Sequence, residues 1–252
     1  MHRFFVPLTA FNNGVVTFPE ATASQMFNVL RMRLKETVLV LDNQGMEYKV
    51  ELSVLNRHSA EGLVRASHVN ESEPRACITL YLALSQREKF EWMLQKCTEV
   101  GAAGFVPIIT SRTLVQDIHE AEKKLDRWQK IVQESAEQSG RGRIPPVYPV
   151  LRLEQAFQSV LPDAVRLVAW EQEQSCDLKA ALANAYKNVH PMAILVGPEG
   201  GFANAEIAAA RSAGFQSVTL GRRILRMETA AVVLTSLIMY ELGEMKIGQM
   251  SW

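Results

Sequence analysis

The stretch ILVGPEGGF, Ile194–Phe202, joins an apolar run to a turn in which three glycines surround one carboxylate. The run reads as a buried strand. The glycines read as a turn at its carboxyl end that lets backbone come close to a ligand. Working outward on both sides, strands and helices alternate. Upstream lie CITLYLALS (Cys77–Ser85) as a strand, REKFEWMLQKCTEVG (Arg87–Gly101) as a helix, FVPIIT (Phe105–Thr110) as a strand and HEAEKKLDRWQKIVQESAEQS (His119–Ser139) as a long amphipathic helix. VRLVAWE (Val165–Glu171) is the strand before the quoted one. Downstream come a helix over Asn204–Gly214, a strand over Gln216–Gly221 and a helix over Glu228–Leu242. Phe90, Met93, Leu94, Cys97 and Val100 fall at helical spacing, as do Leu125, Trp128, Val132 and Ala136. Asn204 is expected as an N-cap, with Gly101 and Gly214 as helix stops. The alternation predicts an α/β fold with a mostly parallel sheet covered on both faces.

The first 72 residues have a different rhythm. Val38–Leu41 and Tyr48–Leu55 are strands joined by the turn Asp42-Asn43-Gln44-Gly45, and Glu61–Val69 is a third. Thr22–Leu34 is expected as a short helix with Met26, Val29 and Leu30 on one face. Several short strands around one helix suggest a small barrel. The polar NESEPRA (Asn70–Ala76) marks the boundary between residues 1–72 and 73–252.

Composition narrows the classes. At 48% hydrophobic over 252 residues the chain can bury a proper core. Lys+Arg and Asp+Glu balance at 27 each, which argues against a generic nucleic-acid coat and leaves local patches open. Cys77, Cys97 and Cys176 form no Cys-x-x-Cys pair. The histidines His2, His58, His68, His119 and His190 sit at no metal-ligand spacing and read as solvated or core-edge, so no metal is expected. MHRFFVPLTAF lacks the apolar core of a signal peptide, and TAAVVLTSLIMYELG is interrupted before the roughly 18–20 residues of a membrane span. The expectation is a cytoplasmic protein with reduced thiols and no membrane partner.

Three stretches carry chemistry. The quoted turn has neither the G-x-G-x-x-G of dinucleotide folds nor the G-x-x-x-x-G-K-[ST] of a P-loop. Glu199 also opposes phosphate, since a carboxylate about 4 Å from one costs roughly 1–4 kcal/mol. A cation meets no such objection, and S-adenosylmethionine carries a sulfonium and no phosphate. The second stretch is LGRRILRMETAAVVL, Leu220–Leu234, where Arg222, Arg223 and Arg226 crowd a loop before the last helix. They suit an anionic polymer, although a solvated surface is the plainer alternative; Glu228 and Thr229 equally suit helix capping. The third is ESAEQSGRGR, in which Arg141 and Arg143 are expected to project from a flexible loop after Gly140. With RMRLK (Arg31–Lys35) these give separate basic patches on a neutral chain, a pattern that suits a specific RNA surface.

LVGPEGGF and LGRRILRMETA, with EQSGR upstream and MHRFF at the start, resemble the bacterial 16S ribosomal RNA uracil N3-methyltransferase family of the SPOUT superfamily, over essentially the whole chain. The resemblance implies a PUA-like β-barrel for RNA followed by a SPOUT methyltransferase domain with a deep trefoil knot. It also implies a homodimer that uses S-adenosylmethionine to methylate N3 of one uridine in 16S ribosomal RNA on the small ribosomal subunit. Carried onto this chain, the cofactor loops are Leu195, Val196, Gly197, Pro198, Glu199, Gly200 and Gly201, then Leu220, Gly221, Ile224, Leu225, Arg226 and Thr229, with Trp170 on the third wall. RNA contacts fall to Arg3, Arg31, Arg33, Arg112, Arg141, Arg143, Arg222 and Arg223. Catalysis falls to Arg226 and Arg141 as charge stabilisers, with Glu137 or Glu228 as proton acceptor.

This chain departs from the family pattern at three places. Met227 stands where the family usually has Thr in LRTETA. The N-terminal helix lacks the family's usual His. Lys35-Glu36 replaces the usual Gly-Asp. Two other readings remain open from sequence: a SPOUT ribose methyltransferase acting on another RNA, and a ribosome-assembly protein that binds RNA without turnover.

Overall fold

Met192–Val196 is buried at all five positions, and Gly104–Ile109 at all six. A strand with no exposed face belongs in the middle of a parallel sheet covered by helices. The computed structural model describes residues 1–183 and 191–246, and it places both strands in such a sheet. The chain divides into two compact units, Met1–Glu73 with Gln133–Ile144, and Pro74–Val132 with Pro145–Trp252.

The first unit carries β1 (Arg3–Phe5), β2 (Phe11–Asn12), β3 (Val15–Phe18), α1 (Glu20–Ser24), β4 (Thr37–Leu41), β5 (Met46–Leu55) and β6 (Ala60–Val69). Its sheet runs β1-β4-β5-β6-β3-β2, antiparallel except where β1 joins β4. Phe4, Val16, Phe18, Met26, Val38, Val40, Val50 and Leu52 form its core. Gly62 of β6 lies opposite Leu52 in the register; a Cβ there would stand 2.4 Å from Val50 Cγ1.

Two expectations for this unit need correction. The helix expected over Thr22–Leu34 ends early: α1 continues as a π-helical turn over Gln25–Val29. The wider turn, closed by Leu30 N on Gln25 O at 3.0 Å, takes Val29 off the face of Met26, so Met26 is buried and Val29 is 71% exposed. The expected boundary treats residues 1–72 as contiguous, whereas Gln133–Ile144 counts with this unit. Ala136 and Ile144 pack against Phe5 and Leu41 there, and Ile144 N donates to Asn43 Oδ1 at 2.7 Å.

The second unit contains β7 (Ile78–Ala83), α2 (Arg87–Val100), β8 (Gly104–Ile109), α3 (Ile118–Glu122), α4 (Leu125–Ser139, whose last residues count with the first unit), β9 (Leu151–Arg152), α5 (Leu153–Ser159), β10 (Val165–Ala169), α6 (Leu178–Leu182), β11 (Met192–Val196), α7 (Asn204–Ser212), β12 (Gln216–Val218) and α8 (Met227–Glu241). The sheet is parallel throughout, in the order β12-β10-β11-β7-β8-β9. The chain starts near the middle at β7, moves out to β9, crosses to β10, and then inserts β11 between β10 and β7. α8 returns to pack on α2 and β11. A Cβ at the α2 stop, Gly101 (φ +118°), would meet Met239 Cε of α8 at 2.9 Å. Phe90 of α2 meets Trp128 of α4 with ring centroids 4.7 Å apart.

The helix expected over His119–Ser139 is two helices, because Lys124 N bonds back only three residues, to Ala121 O, and α4 restarts from Lys124 O. The N-cap of α7 is Ala203 rather than Asn204; Glu206 accepts from Ala203 N at 2.8 Å. Among the described residues, no helix is long and apolar enough to cross a membrane. His2, His58, His68 and His119 are exposed, and His190 lies outside the described residues.

Gly62→Ala is expected to cost about 1–3 kcal/mol, because the methyl needs space that the β5 backbone and Val50 already fill. Urea denaturation monitored by far-ultraviolet circular dichroism measures it.

Candidate functional site

β10, β11 and β12 end side by side, and ligands of open parallel sheets bind beyond such ends, where the strand order reverses. The loops that follow them, with the start of α8, enclose a pocket of about 470 Å³. That lies within the range of small-molecule sites. β10 contributes Ala169, Trp170 and Glu171. The β11 turn contributes Val196 through Phe202. The β12 loop contributes Val218 through Gly221 and Arg223 through Arg226, and α8 adds Met227, Glu228 and Ala230.

The glycines are there for space. Gly201 has φ +68°, and a Cβ on it would meet Glu171 Oε1 at 2.7 Å. A Cβ on Gly197 would stand 2.9 Å from the Phe202 ring. Arg112 Nη1 donates to Gly200 O at 2.7 Å, and Ser111 N donates to Glu206 Oε1 at 2.7 Å, so the loop after β8 ties the glycine turn and the start of α7. Arg112, expected to touch RNA, holds this turn in the structure. The carboxylate in the turn has a partner that the motif does not contain: Lys89 Nζ of α2 lies 3.3 Å from Glu199 Oε1. The electrostatic objection to an anion at Glu199 is weaker for it, although both groups are about one-third exposed and the pair contributes little.

A second network braces the outer wall. The Glu173 carboxylate accepts from Gln174 N, Ser175 N, Ser175 Oγ and Ser217 Oγ, and pairs with Arg211 Nη2 at 2.9 Å. The Ser175 and Ser217 hydrogen bonds hold its pKa down at about 2. Arg211 in turn lies over the Trp170 ring, 5.3 Å from its centroid. One buried carboxylate therefore links the β10 loop, α7 and β12 behind the pocket.

The wall facing the cavity has two unmatched polar atoms. Among the described residues, Trp170 Nε1 and Glu228 Oε2 are buried without hydrogen-bond partners. One is a donor and the other an acceptor, so the pocket suits a ligand carrying both kinds of group. Among the described residues, Glu228 makes no capping hydrogen bond, and Arg226, the N-cap of α8, makes none through its side chain. Glu228 nevertheless lies in the first turn of α8, where a carboxylate opposes the helix dipole, so that part of the plainer reading stands beside the ligand-binding one.

The pocket brings together Trp170, Val196, Gly197, Pro198, Glu199, Gly200, Gly201, Leu220, Gly221, Ile224, Leu225, Arg226 and Glu228. It leaves out Leu195, which is buried within β11, and Thr229, exposed on the first turn of α8. Arg222 is exposed outside it, and Arg223 is in it. Lys89 and Thr219 were not anticipated. Lys89 sits in an ordinary amphipathic helix with no local signal. Thr219 falls within the expected strand Gln216–Gly221, where nothing marks it for the site; its hydroxyl accepts from Gly221 N at 3.2 Å and shapes the turn.

The remaining expected residues belong to the first unit. Arg141 was expected to project from a flexible loop. It is 3% exposed, because Gly140 (φ +78°) turns the chain so that its guanidinium pairs with Glu73. Arg143 is exposed and donates to Gln44 O at 3.2 Å; Arg3 lies 3.9 Å from Glu47; Arg31 and Arg33 are exposed. Glu137 accepts from Phe5 N and Gln133 Nε2, both at 3.1 Å, and burial pushes its pKa up against those two bonds.

The RNA methyltransferase domain family matches residues 71–239. The ribosomal RNA small subunit methyltransferase E of Synechocystis is 36% identical over 92% of this chain and 75% of its own length. That of Bacillus subtilis is 32% identical over 96% of this chain and 97% of its own. The crystal structure of the Neisseria gonorrhoeae small subunit methyltransferase E bound to S-adenosyl methionine matches with TM-score 0.87 at 32% identity, covering 96% of this chain and 98% of that one.

Two titrations test the braces. Glu173→Gln is expected to lower stability by about 1–3 kcal/mol at neutral pH. The native pKa is depressed, so this contribution is present above the ordinary carboxylate range and is lost as pH falls toward 2; the two chains should converge in acid. Glu137 has the opposite sign. Its raised pKa makes the ionised form costly, so its contribution is greatest in acid and is lost as pH rises through the native pKa. Glu137→Gln should flatten that limb, read from thermal midpoints between pH 4 and 8.

With the family model across 71–239, these relatives along the chain and the solved structure in agreement, the chain belongs to the RNA methyltransferase family, among the ribosomal RNA small subunit methyltransferases E.

Proposed function

We propose that this chain methylates N3 of one uridine in 16S ribosomal RNA, with S-adenosylmethionine as donor and the small ribosomal subunit as substrate. The observation that carries it is the pocket at the ends of β10, β11 and β12: glycine turns that admit the ligand and no phosphate-binding motif, in a fold matched at TM-score 0.87 by a relative bound to this cofactor. The two orphaned polar atoms fit the group, because Trp170 Nε1 can donate to a cofactor oxygen or ring nitrogen and Glu228 Oε2 can accept from an amino or hydroxyl group. When bound, S-adenosylmethionine supplies a methyl already activated by its sulfonium.

The chain's own residues then have two tasks. N3 lies on the Watson–Crick edge, so the uridine must be unpaired or splayed out. Its imide must also lose a proton, and Arg226, exposed at the pocket and without a capping bond, stabilises the charge that builds on the uracil oxygens. Glu228 is the acceptor we favour over Glu137, whose carboxylate is committed to Phe5 N and Gln133. If the cofactor takes up Glu228 Oε2, its second oxygen remains for the proton. Arg141 is engaged by Glu73, which moves it from charge stabiliser to structural anchor of its loop. Arg222, Arg223, Arg31, Arg33 and Arg143 are exposed and suit phosphate contacts.

The same reading makes the first unit a PUA-like RNA-binding domain, the second a SPOUT domain with a deep trefoil knot, and the working form a homodimer in the cytoplasm. The knot rests on membership of the family; the parallel order, with β11 between β10 and β7 and α8 packed on α2 and β11, accommodates it. Exposed Leu237 and Tyr240 on α8, with Trp92 on α2, support the dimer.

The test is a reverse-transcription stop assay on small subunits lacking the modification. A single cofactor-dependent stop, one nucleotide before the target, is expected. Labelled methyl entering the RNA without a stop would move the target off the pairing edge. Arg226→Ala should lower methyl transfer about 10²–10³-fold with the thermal midpoint little changed. Unchanged turnover would remove Arg226 from the chemistry.

A further inference from the structure

The segment Gln25–Glu36 breaks three habits of a soluble surface at once. It begins with a π-helical turn, a rare conformation that concentrates at functional sites. It exposes three apolar side chains within eight residues: Phe27 at 45%, Val29 at 71% and Leu34 at 56%. It also holds two cations in the left-handed region, Arg31 at φ +51° and Lys35 at φ +68°. Among the described residues, the two other non-glycine residues with positive φ are asparagines, the type that tolerates it. Nothing in the fold forces a lysine there; glycine would take the same backbone without the steric penalty.

The cations are also uncommitted. Arg31, Arg33 and Lys35 are exposed, and among the described residues their side chains make no hydrogen bond or ion pair. Glu36 is the segment's one carboxylate, leaving a net charge of +2 from three cations and one anion. Met32, between the arginines, is buried at 8%; with Met32 N bonded to Met26 O at 3.0 Å, it pins the loop to the core so that its neighbours face outward.

We infer that this segment is a binding platform for unpaired RNA, with a base stacked on Phe27, apolar contact from Val29 and Leu34, and phosphates held by Arg31, Arg33 and Lys35. An aromatic ring beside cations is how single strands are gripped without regard to sequence, because every base has a face to stack and every nucleotide a charge. Strain in the backbone at Lys35 is retained because it delivers the third cation. A membrane surface is the weaker match, since an interfacial helix needs a long apolar face and here a five-residue turn carries Phe27 and Val29. This inference rests on the functional reading above, in that it names which part of the RNA the first unit takes.

The experiment uses the full chain, without cofactor, and a short fluorescent oligouridine, with a duplex RNA as control. Anisotropy titrations compare wild type, Phe27→Ala and Lys35→Gly. Phe27→Ala should weaken oligouridine binding roughly tenfold and duplex binding by less than twofold. Lys35→Gly should weaken oligouridine binding and reduce the slope of log affinity against log salt by about 0.7, one phosphate's share. The same substitution should raise the thermal midpoint by roughly 2 °C, because the backbone strain is gone. A more stable Lys35→Gly chain with unchanged RNA affinity and salt slope would overturn the inference. So would a Phe27→Ala chain that loses duplex and single strand equally, or wild-type binding to anionic vesicles in preference to RNA. The two readings fail separately. Oligouridine binding that depends on Phe27 in a chain that methylates no RNA sinks the functional proposal alone; methylation with RNA affinity indifferent to both variants sinks this one alone.

Discussion

Every side chain of β11 is buried, and its backbone is hydrogen-bonded to β10 on one side and β7 on the other. Such a strand can meet a ligand only where it stops. Gly197 is therefore where the central sheet first turns toward function, and the layout of the second unit follows from it. β10 and β12 end on the same side of the same sheet, so their loops must form the remaining walls. Loops of that kind, made of glycines and irregular backbone, have little rigidity of their own. The Glu173 carboxylate behind them, Arg112 on the glycine turn and Glu206 at the start of α7 supply it from neighbouring elements.

Much of this was legible in the residues. Continuous apolar runs such as MAILV and FVPII place strands because only a doubly covered sheet buries both faces. Gly101 and Gly214 mark helix ends because both adopt the left-handed conformation. GPEGG and GRRILRME identify two pocket walls because turns at strand ends demand small residues and loop arginines demand a reason. What was not legible depends on partners far away in sequence. Lys89 sits 110 positions from Glu199, and nothing around it distinguishes it from any helical lysine. Arg141 reads as a free loop cation until Glu73, 68 positions earlier, is placed against it. The π-helical turn was missed because an extra residue in a turn leaves the pattern of residue types unchanged and alters only where each one points.

The first unit shows how a chain can be assigned to a domain by contact and not by order. Ala136 and Ile144 fill the gap around Phe5 and Leu41, and Glu137 answers the amide of Phe5 that β1 leaves open. A composition shift can locate the linker at Asn70–Ala76, but it cannot show a later segment joining the same core. The three cysteines make the contrast between surface and interior in another way. Burial pushes the Cys97 thiol up to about 12 against the hydrogen bond it accepts from Thr235, while Cys77 is exposed.

The walls of the pocket also have an order in time. Trp170 and the glycine turn leave the ribosome before Leu220–Glu228, and α8, which closes the last wall, must also settle against α2, made some 130 residues earlier. A nascent chain thus holds most of its hydrophobic core before it holds any ligand site. Until that helix arrives, the cofactor can lend the chain no stability through mass action. Folding of the second unit has to proceed on packing alone, and its catalytic function arrives late in its synthesis.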